Sequence, residues 1–240
     1  MFLSLWEERN TALFLTHNLW LIDKDADIVE VQNLFKGVDS LYIADGHHRS
    51  AAASRVNASR SGSGQSGFFL TVTFPHNQMK ILAYNRVVKD LNGLNAETFL
   101  ERLGVIFEIS EGGAGDCSAK NELGFYLDGV WRRLVVKSEF AKADNPMDEL
   151  DVALLQNHVL SPMLAIDDPR TSNRVGFIGG IRGTAELERL VDGGDYACAF
   201  SMYPTSIEDL MAIADAGGIM PPKSTWFEPK LRDAMFCHMI

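Results

Sequence analysis

The chain has 240 residues, of which 46% are hydrophobic and 22% charged, enough apolar material for one sizeable core or two small ones and too much for a largely disordered chain. A formal net charge of −10 disfavours non-specific binding to nucleic acid or to a membrane surface, since both are polyanions. Cys117, Cys198 and Cys237 are widely spaced and odd in number, which fits reduced thiols better than a zinc knuckle or a redox pair.

Met1-Phe2-Leu3-Ser4-Leu5-Trp6 runs straight into Glu7, Glu8 and Arg9, unlike a secretory signal, and no apolar run reaches the length of a membrane span; a cytoplasmic location is the default expectation. Residues 18–23 read as a strand. Ile28, Val31, Leu34 and Phe35 recur at helical spacing within 26–36. Residues 40–44 read as a short buried strand and 47–59 as a helix. The Gly/Ser-rich stretch 61–67 reads as a flexible loop. Runs 68–74 and 80–88, joined by Pro75-His76-Asn77-Gln78, suggest an antiparallel pair. A helix over 96–103 follows, then a polar loop over 109–120.

Residues 122–127 and 131–137 flank Asp128-Gly129, the pattern of a tight hairpin. After a polar loop at 138–147, Leu150, Leu154 and Leu155 mark a helix over 148–160. The last third alternates: strand 174–178, helix 184–192, strand 196–201, helix 205–216 and a strand near 233–239. This order argues helices layered on a sheet, an α+β or mixed α/β fold. Thr205 with Glu208 three residues on, after Pro204, has the form of a helix-start capping box.

Three segments carry chemistry. In Tyr42-Ile43-Ala44-Asp45-Gly46-His47-His48-Arg49-Ser50, a strand runs through Asp-Gly into a helix. A glycine permits positive φ and close backbone approach, and the free N–H groups of a helix start attract anions. His47, His48 and Arg49 add donors there, so the turn outlines a phosphate site; the bland alternative is a turn with solvated side chains. A metal site fits less well, because adjacent histidines diverge on a helix. In Met220-Pro221-Pro222-Lys223-Ser224-Thr225-Trp226-Phe227-Glu228-Pro229-Lys230, prolines stiffen a loop that offers a point cation and two hydroxyls, though without the glycine frame of a Walker A loop; a plain rigid connection is the alternative. Gly176 to Thr184, with Arg182 between glycines, repeats the strand-glycine-helix form more weakly. Arg86, at a strand end in Tyr84-Asn85-Arg86, is a weaker candidate still, and His158 reads as a packed core residue.

At these residues the sequence resembles the domain of unknown function 1015 family. The likeness rests on Tyr42 to Arg49, Asn85-Arg86-Val87-Val88-Lys89-Asp90-Leu91, Leu150-Asp151-Val152, Leu160-Ser161-Pro162-Met163-Leu164, Gly179-Gly180-Ile181-Arg182-Gly183 and Met220 to Leu231. It covers residues 17–240, expected to form one compact unit with a possible subdivision near 138–147, and leaves 1–16 unmatched. Arg232-Asp233-Ala234 departs from the small residue and glycine that the family favours. Full-length relatives are longer at the N-terminal side, so the resemblance implies a C-terminal portion with weak or no kinase activity alone. The Asp-Gly-His-His-Arg turn is also similar to that of ParB-like and sulfiredoxin-like domains, where it binds nucleotide phosphates.

What the resemblance implies is a nucleotide-dependent small-molecule kinase that phosphorylates free L-serine to O-phospho-L-serine, with ATP or ADP and Mg²⁺. Catalytic roles then fall to Asp45, His47, His48 and Lys223, with Asp45 a base or a Mg²⁺ ligand. Phosphate binding falls to Gly46, His47, His48, Arg49, Arg182, Ser224 and Thr225. A non-catalytic nucleotide sensor is the second reading; a nucleic-acid partition protein is the third, against the acidic charge. Because one arginine is little for a triphosphate, Lys223 is expected near Arg49.

Overall fold

Leu123, Phe125 and Leu127 alternate with Gly124 and Tyr126, and every residue of this stretch is buried, which requires a strand covered on both faces. The computed structural model describes residues 7–10, 13–16, 19–113, 115–143, 145–221, 223–228 and 236–239. The chain forms two compact units, residues 1–42 and 43–240, with 138–147 inside the second. In the first, β1 (Glu7–Asn10) and β2 (Leu13–Thr16) pair antiparallel and α1 (Asp25–Phe35) follows.

The second unit opens with α2 (His47–Ser59) and then β3 (Lys80–Leu82), β4 (Tyr84–Val88), α3 (Ala96–Ile106), β5 (Phe107–Glu111), β6 (Glu122–Leu127) and β7 (Val130–Val136). A short α4 (Asp151–Leu155) runs on as a π-helical turn, Gln156–Leu160. Then come β8 (Val175–Gly179), α5 (Gly183–Asp192), β9 (Cys198–Met202), α6 (Ile207–Asp215) and β10 (Trp226–Glu228). Six strands form one sheet in the order β5-β7-β6-β9-β4-β8, antiparallel at every pairing, and β3 pairs with β10 apart from it. The fold is α+β.

Side-chain parity divides the core. Val88, Phe125, Leu127, Cys198 and Phe200 face one side, against Phe99 and Leu103 of α3, the 151–160 helix and Ile213 of α6. Val87, Tyr126 and Ala199 face the other, against Leu187 and Leu190 of α5. Phe125 lies between Phe99 and Phe200, with ring centroids 5.8 and 4.9 Å away. The hairpin at Asp128-Gly129 forms as expected, with φ of 52° and 75° at the two turn residues, the left-handed pair that matches strand twist.

The helices at 26–36, 47–59, 96–103, 184–192 and 205–216 form close to the expected bounds. The capping box moves one residue on: Ser206 caps and Asp209 returns the bond. The helix expected over 148–160 starts at Asp151, and β5 reaches into the stretch expected to be a loop from 109. The expected pairing of 68–74 with 80–88 is corrected. Residues 68–74 join no ladder and stay exposed, while β3 takes β10 and β4 takes β8 and β9. Residues 19–23 and 40–44 likewise join no ladder. β-forming composition alone makes no strand without a neighbouring edge. Of the strand expected near 233–239, residues 233–235 lie outside the described residues and 236–239 form no ladder.

Two consequences are measurable. Phe125→Ala empties the centre of the larger core and should cost about 3–5 kcal/mol in urea unfolding. Asp151, buried at the start of α4, accepts the Asn121 N–H at 2.9 Å, and burial pushes its carboxyl from 3.8 up to about 6. The raised value means the folded state favours the neutral acid. Its contribution is therefore full below about pH 4 and is lost as pH rises through about 6. Asp151→Asn keeps the acceptor and should flatten the pH dependence of the urea midpoint across that window; an unchanged slope would place the titration elsewhere.

Candidate functional site

Gly46 adopts φ 83°, ψ 24° as the residue before α2, and a Cβ there would meet nothing within 4 Å, so glycine is required for its backbone angles and not for space. Its N–H donates to Asp45 Oδ1 at 2.7 Å. Its carbonyl accepts from Ser50 N at 2.9 Å and Ser50 Oγ at 3.2 Å, closing the first helical turn. No side chain caps this 13-residue helix and no acidic residue sits in its first turn. The N–H groups at its start stand at the positive end of the dipole, with the Asp45 carboxylate beside them on the Gly46 N–H. Asp45, His47, His48 and Arg49 are all exposed around this point.

A second cluster gathers where β4, β8 and β10 meet. The Tyr84 ring packs against Trp226 at 5.4 Å and edge-on to Phe177 at 6.4 Å. Lys223, exposed and at φ 57°, holds its ammonium 5.4 Å from the Tyr84 ring, within cation–π range. Lys223 is thus a cation held over an aromatic ring at the end of the sheet. Ser224 is buried: its hydroxyl donates to the Pro221 carbonyl at 2.6 Å, and its own carbonyl accepts from Thr205 Oγ1 at 3.3 Å. Thr225 is half-buried beside it. Arg182 is exposed and pairs with Glu186 at 3.5 Å, one turn along α5. The glycines before it serve packing: a Cβ on Gly179 would come within 2.5 Å of the Trp226 ring, and one on Gly180 within 2.8 Å of the Ala83 carbonyl.

Arg86, weakest of the cations in sequence terms, is the most informative in structure. It is 4% exposed, directly opposite Phe177 and Phe200 in the sheet, and burial pulls its guanidinium down to about 10. It lines a cavity of about 290 Å³. The sequence signal for it was a charged residue inside a run of strand formers. His158 stacks edge-on against Phe140 at 5.3 Å, but both residues are half-buried, so it sits at the margin of the core and not within it. Among the described residues, no group of three or more His, Cys, Asp or Glu could hold a metal, and no helix is long and apolar enough to cross a membrane.

The buried Ser224 bond has a measurable role. Ser224→Ala should lower stability by about 1 kcal/mol, read as a reduced urea midpoint at unchanged slope. A hydroxyl kept only for a ligand would leave the midpoint where it is.

The family model described as "Protein of unknown function (DUF1015)" matches residues 9–153. No curated protein matches. Among solved structures, a free serine kinase in complex with AMP is 16% identical with a TM-score of 0.46, covering 87% of this chain and 81% of that one. A variant of a free serine kinase with ADP gives 17% and 0.45 over 85% and 78%. A conserved hypothetical protein from Pyrococcus furiosus gives 15% and 0.44 over 84% and 81%. At these scores the likenesses carry no functional weight.

Proposed function

We propose a function from the premise that this chain belongs to the DUF1015 family: the Asp45–Arg49 turn binds the phosphates of a nucleotide, and the protein serves as a small-molecule kinase. The reaction proposed is transfer of a phosphoryl group from ATP, or from ADP, to the hydroxyl of free L-serine, giving O-phospho-L-serine in the cytoplasm. The observation that carries it is the left-handed Gly46 opening an uncapped helix with His47, His48 and Arg49 in series. Such a start presents backbone donors to an anion, as in ParB-like and sulfiredoxin-like turns.

Phosphoryl transfer asks a protein mostly to position groups and neutralise charge. On this reading Gly46, His47, His48 and Arg49 hold phosphate oxygens. Asp45 takes the serine hydroxyl proton or holds Mg²⁺. Its exposed carboxylate suits an ion bound by one carboxylate together with substrate phosphates. Lys223, Arg182 and Thr225 contribute charge and hydroxyls if the proline-stiffened loop and the start of α5 reach the same substrate. A second reading, a nucleotide sensor without turnover, draws on one detail: Asp45 Oδ1 already accepts the Gly46 N–H, a role in shaping the turn and not in chemistry.

Both readings predict that Arg49→Ala weakens nucleotide binding by about 1.5–3 kcal/mol, the worth of a charge-assisted hydrogen bond. Calorimetry with ATP and ADP measures it; equal affinity for wild type and variant would remove the turn from the site. Phosphorus NMR of the chain with serine, Mg²⁺ and each nucleotide then separates the readings. Formation of phosphoserine that falls in Arg49→Ala supports the kinase, and binding without turnover supports the sensor.

A further inference from the structure

Arg86 points to the same side of the sheet as Phe125 and Phe200, where the helix 151–160 covers it. A guanidinium this deeply buried is ordinarily matched by a carboxylate, because an uncompensated charge in the interior is costly. Among the described residues Arg86 has no such partner. Nη1 donates to the Tyr84 carbonyl, and the Phe177 ring lies 5.1 Å from Cζ. Of five N–H donors, one is accounted for. The side chain instead faces a cavity of about 290 Å³, walled by Val152, Gln156, Leu160, Pro221 and the turn 167–170.

Two further features of that wall point to an occupant. Gln156 Nε2 donates to the carbonyls of Ile166 at 2.7 Å and Asp167 at 3.3 Å, which fixes the amide and leaves Oε1 buried without a donor. It stands at the first residue of the π-helical turn, a distortion that recurs at ligand sites. The charges are also ordered. Asp168 is matched by Arg170 at 2.8 Å, whereas among the described residues the Asp167 carboxylate accepts from the Ser161 hydroxyl and pairs with no cation. The cavity is thus positive at Arg86 and negative at Asp167. A doubly charged phosphate would meet repulsion from Asp167, whereas one carboxylate reaching Arg86 would not.

We propose that this cavity binds a small organic carboxylate bearing a hydrogen-bond donor, its carboxylate on the Arg86 guanidinium and its donor toward Gln156 and Asp167. None of the walls belongs to the Asp45–Arg49 turn, so the site stands whether or not that turn binds nucleotide.

The test uses the whole chain with lactate, acetate, malonate and inorganic phosphate as probes, read by thermal unfolding and by amide NMR. Expected is saturable stabilisation by at least one carboxylate, strongest for lactate and absent for phosphate. Arg86→Met should weaken that binding about tenfold or more, the least expected from losing a charge-assisted hydrogen bond. It should also leave the ligand-free midpoint equal or higher, since it removes an unmatched buried charge. Asp167→Asn, at the exposed end, should tighten binding severalfold. No saturable response to any carboxylate, a stronger response to phosphate, or undiminished binding in Arg86→Met overturns the proposal. If Arg86→Met fails to fold, Arg86 is a structural cation and the proposal falls unless Asp167→Asn tightens carboxylate binding in the otherwise intact protein.

Discussion

The sheet depends on how β4 and β9 part. β4 pairs with β8 along all five residues, from Tyr84 opposite Gly179 to Val88 opposite Val175, but with β9 only from Arg86 to Val88. Beyond that point β9 still pairs with β6, and the Met202 N–H on its other side would be orphaned in the interior. The buried Asn85 accepts it through Oδ1 at 3.0 Å. A side-chain amide thus stands in for a strand, and the backbone accounting that a buried sheet demands is closed without extending the ladder. β4 is then free to leave toward β3, and its last paired residue on that side is Arg86.

That parting explains why the aromatic cluster and the buried cation sit together. Tyr84 has left β9 and meets Trp226 and Phe177 instead, and Gly179 has no side chain because Trp226 occupies its place. The chain 221–226 is tied back by Ser224 to Pro221 and by Thr205 to the Ser224 carbonyl. Proline, serine and lysine in this loop therefore act first as a brace across the end of the sheet. Any contact of Lys223 with ligand comes in addition to that structural work.

Much of this was legible in the sequence. The helices over 47–59 and 184–192 and the hairpin at Asp128-Gly129 are set by local signals: an apolar period, a glycine at a helix start, a left-handed pair of turn residues. The failures share a cause. Residues 19–23, 40–44 and 68–74 have strand composition, and whether such a run pairs is decided by distant partners that a window of sequence does not contain. β3 finds its partner in β10, nearly 150 residues on by the numbering. The site divides the same way. The turn at Gly46 was readable because its parts are contiguous. The Arg86 cavity was not, since its walls come from β4, the 151–160 helix, the 167–170 turn and Pro221, and because nothing local marks a charge as unmatched.

The two arginines illustrate what an acidic chain must do to hold an anion. Arg49 is exposed at a helix start, so the hold on phosphate proposed for it would be shared with water and weakened by salt, and would depend on the backbone donors beside it. Arg86 is withdrawn from water, so each interaction it makes is stronger, and each one it lacks costs more. An exposed cation can be kept for many reasons at little cost. A buried cation that has one carbonyl and one ring as partners among the described residues is harder to account for by packing alone, because a methionine or leucine of similar volume would fill the space without the desolvation penalty. Its retention at the floor of a cavity is the feature of this molecule that a ligand explains most directly.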